Sequence, residues 1–211
     1  MSLRSRDRIG APRSAESGFT LVEVMITILI VAILAVIAVP QFENATFRAR
    51  EEALRRNLYV LRGSIERYYH QHGGSFPGCR DYTDGSVAAD DSERATSFIY
   101  QLTYPSNAVG QVNPAQAGRD PGYDYGPYLL GARMPSNPLP EPDGSVDYPA
   151  LAYVVDSDSP IAADAAAATT GWKFNCQTGQ LIANSDETSS DGVTRYEDWG
   201  NNLAGMGVPG K

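Results

Sequence analysis

The chain has 211 residues, enough for one domain with accessories or for two small domains. Hydrophobic residues make up 42% and charged ones 20%, and Gly 20 with Pro 14 points to a loop-rich body rather than an all-helical one. The 17 basic and 25 acidic residues leave a net charge of −8, and lysine is confined to Lys173 and Lys211. That balance argues against nucleic-acid binding, which needs clustered Lys and Arg. Two cysteines and two histidines leave little material for a metal cluster or a Cys/His catalytic pair.

Charge and hydropathy change sharply along the chain. Residues 1–18 carry Arg4, Arg6, Arg8 and Arg13 against Asp7 and Glu16, with no apolar run. Residues 19–39, FTLVEVMITILIVAILAVIAV, are apolar except for Thr20, Glu23 and Thr27. As a helix these would span about 31 Å at about 1.5 Å per residue, which matches a bilayer core of about 30 Å. Residues 40–72 are amphipathic and slightly basic, whereas 73–211 hold seven basic and 18 acidic groups. A basic segment before an apolar run stays in the cytoplasm, so the acidic remainder crosses the membrane. An ordinary secretory signal fits less well. Its apolar core is about 7–15 residues and is followed by a small-x-small cleavage site, for which Ala35 to Pro40 is a poor match.

The join between leader and apolar run reads Ser17-Gly18-Phe19-Thr20-Leu21-Val22-Glu23-Val24-Met25. It resembles the GFTLxE signal of type IV pilins and type II secretion pseudopilins. The resemblance covers residues 13–76 most strongly. It implies an α+β pilin fold, a long transmembrane and stem helix packed on a small loop-rich antiparallel-sheet head. It implies cleavage by a prepilin peptidase between Gly18 and Phe19, N-methylation of Phe19, and retention of the helix. The expected organisation is then a leader at 1–18, a membrane and filament-core helix at 19–39, and a stem at 40–72. A head at 73–200 and a flexible tail at 201–211 complete it.

Glu23 is the fifth residue of the expected mature chain. A carboxylate in a membrane helix costs about 2.5–3.5 kcal/mol at the centre and less near an end. Either it reaches water at the interface, or it pairs with a neighbouring subunit's new α-amino group, as the family resemblance implies. At close range in low dielectric such a pair attracts strongly. Pro40 closes the apolar run. It either kinks a continuing helix or marks a helix boundary at the membrane surface. Beyond it, Phe47, Leu54, Leu58, Leu61, Ile65 and Tyr68 form one stripe at helical spacing, with Arg55, Arg62 and Glu66 away from it. His70-Gln71-His72-Gly73-Gly74 ends the helix, its glycines stopping the turn and its histidines favourable at the negative end. The segment from Tyr68 to Pro77 resembles the close of the stem helix in the same family.

In the head, Asp90, Asp91 or Ser92 is placed to cap a short helix bearing Ala95, Phe98, Ile99 and Leu102 on one face. A Pro-, Gly- and Tyr-rich loop runs from Tyr104 to Pro142. Within it, Tyr125–Leu130 and Met134–Pro138 resemble a segment of major-pseudopilin-like proteins. Ala150–Val155 reads as a strand, and Trp172–Cys176 with Gln180–Asn184 as a hairpin of a pattern familiar from such heads. The alanine-rich run 162–168 reads as a helical turn or an inserted loop. For an exported head, an oxidising compartment would allow a disulfide between Cys79 and Cys176, two buried thiols being the alternative; heads of the resembled family often carry such a staple, its placement differing between branches. The resemblance extends loosely to a calcium-binding C-terminal loop. Asp186, Glu187, Asp191 and Asp198 are the candidate oxygen ligands there, a hard cation taking six to eight oxygens. A solvated acidic loop is the alternative, and no EF-hand spacing is present.

No nucleophile elbow, phosphate-binding glycine loop or zinc signature is present, so a catalytic role is not expected. The resemblance implies a bacterial inner-membrane protein with one span and a head in the periplasm or on the cell surface. Its expected partners are copies of itself, minor pilins or pseudopilins, prepilin peptidase, and an inner-membrane platform driven by a cytoplasmic ATPase. Two further readings stay open. One is a minor pilin or tip subunit with a binding head. The other is a membrane-tethered periplasmic binding domain or enzyme, for which the Gly18/Phe19 junction and Glu23 would have no purpose.

Overall fold

The computed structural model describes residues 18–113, 121–131, 133–139, 152–164 and 170–201. Residues 1–17 of the leader, Ala150 and Leu151 of the predicted strand, 165–168 of the alanine-rich run and 202–211 of the tail lie outside the described residues. So do parts of the 104–142 loop.

Helix α1 runs from Leu21 to Gln71 and passes through Pro40 without ending, so the helix boundary considered there is not found. Contacts divide the chain into two compact units, Met1–Ala45 and Thr46–Lys211. In the first unit, Thr20 starts the helix by accepting a hydrogen bond from the Glu23 amide at 3.2 Å. Thr20-x-x-Glu23 has the spacing of a capping box, with the threonine hydroxyl taking one of the first unpaired amides. The large apolar side chains that follow, from Leu21 to Val39, are between 47% and 76% exposed.

In the second unit, the 46–71 part of α1 buries the predicted stripe. Leu54, Leu58, Leu61, Ile65 and Tyr68 are at most 3% exposed, and Phe47 packs at the edge. Gly73 takes a left-handed φ of 63°, and the Gly74 amide reaches back to the Tyr69 carbonyl at 3.0 Å. This is the six-to-one bond of a Schellman close, which a residue without Cβ makes at little cost.

Helix α2, Asp91–Thr103, is capped by Asp90, whose carboxylate accepts from the Glu93 amide at 2.8 Å. Its buried face carries Phe98 and Leu102, with Ala95 and Ile99 packed alongside, as the spacing predicts. Among the described residues the sheet has three strands in the order β1 (Ala152–Val155), β2 (Trp172–Asn175), β3 (Leu181–Ala183). β2 and β3 form the predicted antiparallel hairpin, Phe174 facing Leu181 and Trp172 facing Ala183. The hairpin turn depends on Gly179, at φ 73°, where an added Cβ would lie 2.3 Å from the Phe76 ring. β1 pairs with β2 in parallel, Ala152 opposite Trp172 and Val154 opposite Phe174. The α+β architecture stands, but the sheet is mixed rather than antiparallel. The physical reason is the long connection between Val155 and Trp172, because parallel neighbours need a crossover of about a dozen residues or more. A short helix α3, Asp198–Asn201, follows. The core gathers the α1 stripe, Phe98, Leu102, Val154, Trp172, Phe174, Leu181 and Tyr196.

Candidate functional site

Phe19 lies just before the apolar helix and Glu23 in its first turn, and Phe19 is 79% exposed. The Glu23 carboxylate is exposed while its amide is held by Thr20. The arrangement leaves the acid group of Glu23 available to a partner and gives the helix a defined first turn at the proposed cleavage point. Pro40 lies inside α1. Glu23, expected from the motif to serve in assembly, stands exposed in the first turn of α1. Its amide, three residues after Thr20, also helps close the first turn of the helix.

The structure also shows a polar seam that sequence reasoning missed. Glu51, 7% exposed, accepts from the Ser190 amide at 2.6 Å, the Ser190 hydroxyl at 2.7 Å and the Tyr196 hydroxyl at 3.0 Å. Burial alone would raise its carboxyl pKa. The donors from Ser190 and Tyr196 and the charge of Arg55 outweigh burial and hold it below the ordinary value. On the same helix Arg55 lies over the Trp199 ring, 4.2 Å from its centroid. Arg62, expected away from the packed stripe, is half-buried and donates to the carbonyls of Leu181 at 3.2 Å and Trp199 at 2.9 Å. A signal for Glu51 did exist. It sits four residues after Phe47 and three before Leu54, an acid on the apolar stripe itself.

His72 is buried at the end of α1, not solvated at a helix terminus. Its ring stacks on Tyr68 with centroids 3.7 Å apart. Nδ1 lies 2.9 Å from the Tyr68 carbonyl and so carries the proton, leaving Nε2 to accept from the Ser106 hydroxyl at 3.0 Å. Burial depresses its pKa, so the ring is neutral.

Cys79 and Cys176 are brought together but carry free thiols. The Cys79 thiol donates to the Cys176 carbonyl at 2.7 Å. Its pKa is pushed up, first by a hydrogen bond to Cys176 and then by burial.

The four carboxylates considered for calcium do not gather. Among the described residues no three His, Cys, Asp or Glu side chains stand close enough to hold a metal ion. Asp191 is committed to its own turn. One oxygen accepts from the Val193 and Thr194 amides at 2.8 Å, and the other from the Thr194 hydroxyl at 2.6 Å. Those bonds hold its pKa well below the ordinary carboxylate value. Asp198 opens α3, and Asp186 and Glu187 lie half-buried where the loop begins.

Residues 13–39 match the family model for the prokaryotic N-terminal methylation motif. The chain is 30% identical over 94 residues to type IV major pilin protein PilE1 of Neisseria gonorrhoeae, covering 44% of this chain and 55% of that one. It is 28% identical over 114 residues to prepilin peptidase-dependent protein D of Escherichia coli K12, covering 52% and 75%. Type IV major fimbrial protein FimA of Dichelobacter nodosus is 39% identical over 54 residues, covering 26% and 35%. The chain spans about half the length of the Neisseria relatives it matches, 55% and 51% for the first two. No solved structure matches it.

Proposed function

We propose that this pilin-like chain, headed by an N-terminal methylation motif, is a structural subunit of a type II secretion pseudopilus or a type IV pilus-like filament. One observation carries the reading. The motif opens directly onto a helix long and apolar enough to cross a membrane, none of whose apolar window is buried within the chain. A helix apolar on every side needs lipid or other helices around it. A single-pass subunit uses both in turn. The bilayer holds the pool of subunits, and the filament core receives the same surface when a subunit is lifted out.

In this mechanism prepilin peptidase cuts between Gly18 and Phe19 on the cytoplasmic side. The freed and methylated Phe19 carries a positive charge. Glu23 of the adjacent subunit neutralises it and sets the axial register. An inner-membrane platform with a cytoplasmic ATPase supplies the lift, minor pilins or pseudopilins complete the filament, and the acidic head faces the periplasm or the cell surface. The subunit acts by position, without turnover.

N-terminal mass spectrometry of the membrane form tests the processing step. A start at methylated Phe19 is expected; an intact Met1, or a start near Gln41, removes the reading in favour of a tethered outer domain. Glu23→Ala tests the assembly step. The variant should insert and be processed as the parent is, while its filaments fall by about tenfold or more, the effect of losing about 1.4 kcal/mol per contact. Normal polymerisation of the variant would sink the pairing.

A further inference from the structure

The C-terminal loop from Glu187 to Tyr196 is a small closed unit. Thr188 and Arg195 bridge across it, the Ser189 amide reaches the Thr194 carbonyl at 2.7 Å, and the Tyr196 amide reaches the Glu187 carbonyl at 3.1 Å. The family resemblance suggests a calcium ion for such a loop, and the donor set here does not fit one. The two oxygens of Asp191 already accept three hydrogen bonds from Val193 and Thr194. No second and third carboxylate approach it among the described residues. A cation taking six to eight oxygens would have to break the Asp191 turn to recruit it.

Something else ties the loop down. Ser190, next to Asp191, turns both its amide and its hydroxyl toward Glu51 of the stem, at 2.6 and 2.7 Å. Tyr196, at the far end of the loop and fully buried, adds its hydroxyl to the same carboxylate at 3.0 Å. One buried acid therefore receives donors from both limbs of the loop. Charge-assisted hydrogen bonds of this length are the strong ones, and a buried carboxylate with three donors has its desolvation compensated.

We propose that Glu51 is the positioning residue for this loop: a stem carboxylate, rather than a calcium ion, holds residues 187–196 in place. The loop tip, where Val193 is 82% exposed, is thereby presented from a fixed base on α1. The clamp lies wholly within the unit from Thr46 onward.

Hydrogen exchange of the full chain in detergent tests this, read at the amides of 187–196 with those of α2 and β2 as internal controls. In the parent protein, exchange in the loop should be the same with calcium as with a calcium chelator. Glu51→Ala should speed exchange at Ser190 and its neighbours by about tenfold or more while the controls keep their rates. Glu51→Gln, which keeps the shape and two acceptor sites but not the charge, should fall between the two. If Glu51→Ala loosens the controls as well, the parent's response to chelation and the Glu51→Gln loop rates decide. A loop loosened by chelation and restored by calcium overturns the proposal, as does a Glu51→Gln or Glu51→Ala loop that exchanges like the parent's.

Discussion

The two parts of α1 are built from similar apolar side chains and meet opposite fates. From Leu21 to Val39 the large apolar residues are all at least 47% exposed, whereas Leu54, Leu58 and Leu61 are at most 2% exposed. The difference lies in how the side chains are distributed around the helix. Beyond residue 46 the apolar residues form a stripe, so the head can cover them from one side. The first part is apolar all round, and no single face of a small domain could satisfy it. A helix can thus belong to a globular core over one stretch and remain available for a membrane or a filament over another.

Matched truncations are the sharpest way to break this contrast. Leu58→Ala should lower the head's stability by about 2–5 kcal/mol, the usual cost of a buried leucine cavity. Leu29→Ala should leave it within about 0.5 kcal/mol, as at an exposed position. Denaturant titration of the full chain, followed by the fluorescence of the buried Trp172, reads both. Equal effects would mean that the apolar part is packed on the head after all.

A smaller effect concerns the head alone. Cys79 and Cys176 lie 97 positions apart in sequence and in contact in the fold. Oxidation should join them, remove two hydrogens from the intact mass, and stabilise the head by about 2–4 kcal/mol. Cys79→Ser should abolish any difference between reducing and oxidising buffer. If the parent shows no such difference, the staple does not form.

The smallest expected effect is a pH dependence. Burial depresses the His72 pKa, so the folded ring is neutral where an unfolded one would take up a proton. The unfolded state therefore binds more protons below about pH 6.5, and stability, full above that pH, falls as the pH drops through it. His72→Gln should flatten the fall in denaturation midpoint between about pH 7 and pH 5. A parent curve already flat over that interval would show that the ring titrates freely.

Much of this was legible because it depends on short-range pattern. The stripe from Phe47 to Tyr68, a cap within Asp90–Ser92 that the structure places at Asp90, the Gly73–Gly74 close and the Trp172–Ala183 hairpin each follow from spacing or turn chemistry within a few residues. The parallel pairing of β1 with β2 was not legible, since strand direction depends on where a long connection returns the chain. His72 looked like a helix-end residue until Ser106, 34 positions later, closed over it.

The chain's order of residues alone determined a basic stretch before the GFTLVE junction, an all-round apolar run and a striped amphipathic helix. Those are local matters of hydropathy, period and charge. Tertiary structure decided which polar groups would be enclosed. Glu51 became a buried anchor because Ser190 and Tyr196, 139 and 145 residues away, supply the donors that make its desolvation tolerable. Asp191 is the local counterpart: still exposed, it closes its own turn on Val193 and Thr194, two and three residues on, because a carboxylate goes where donors are placed.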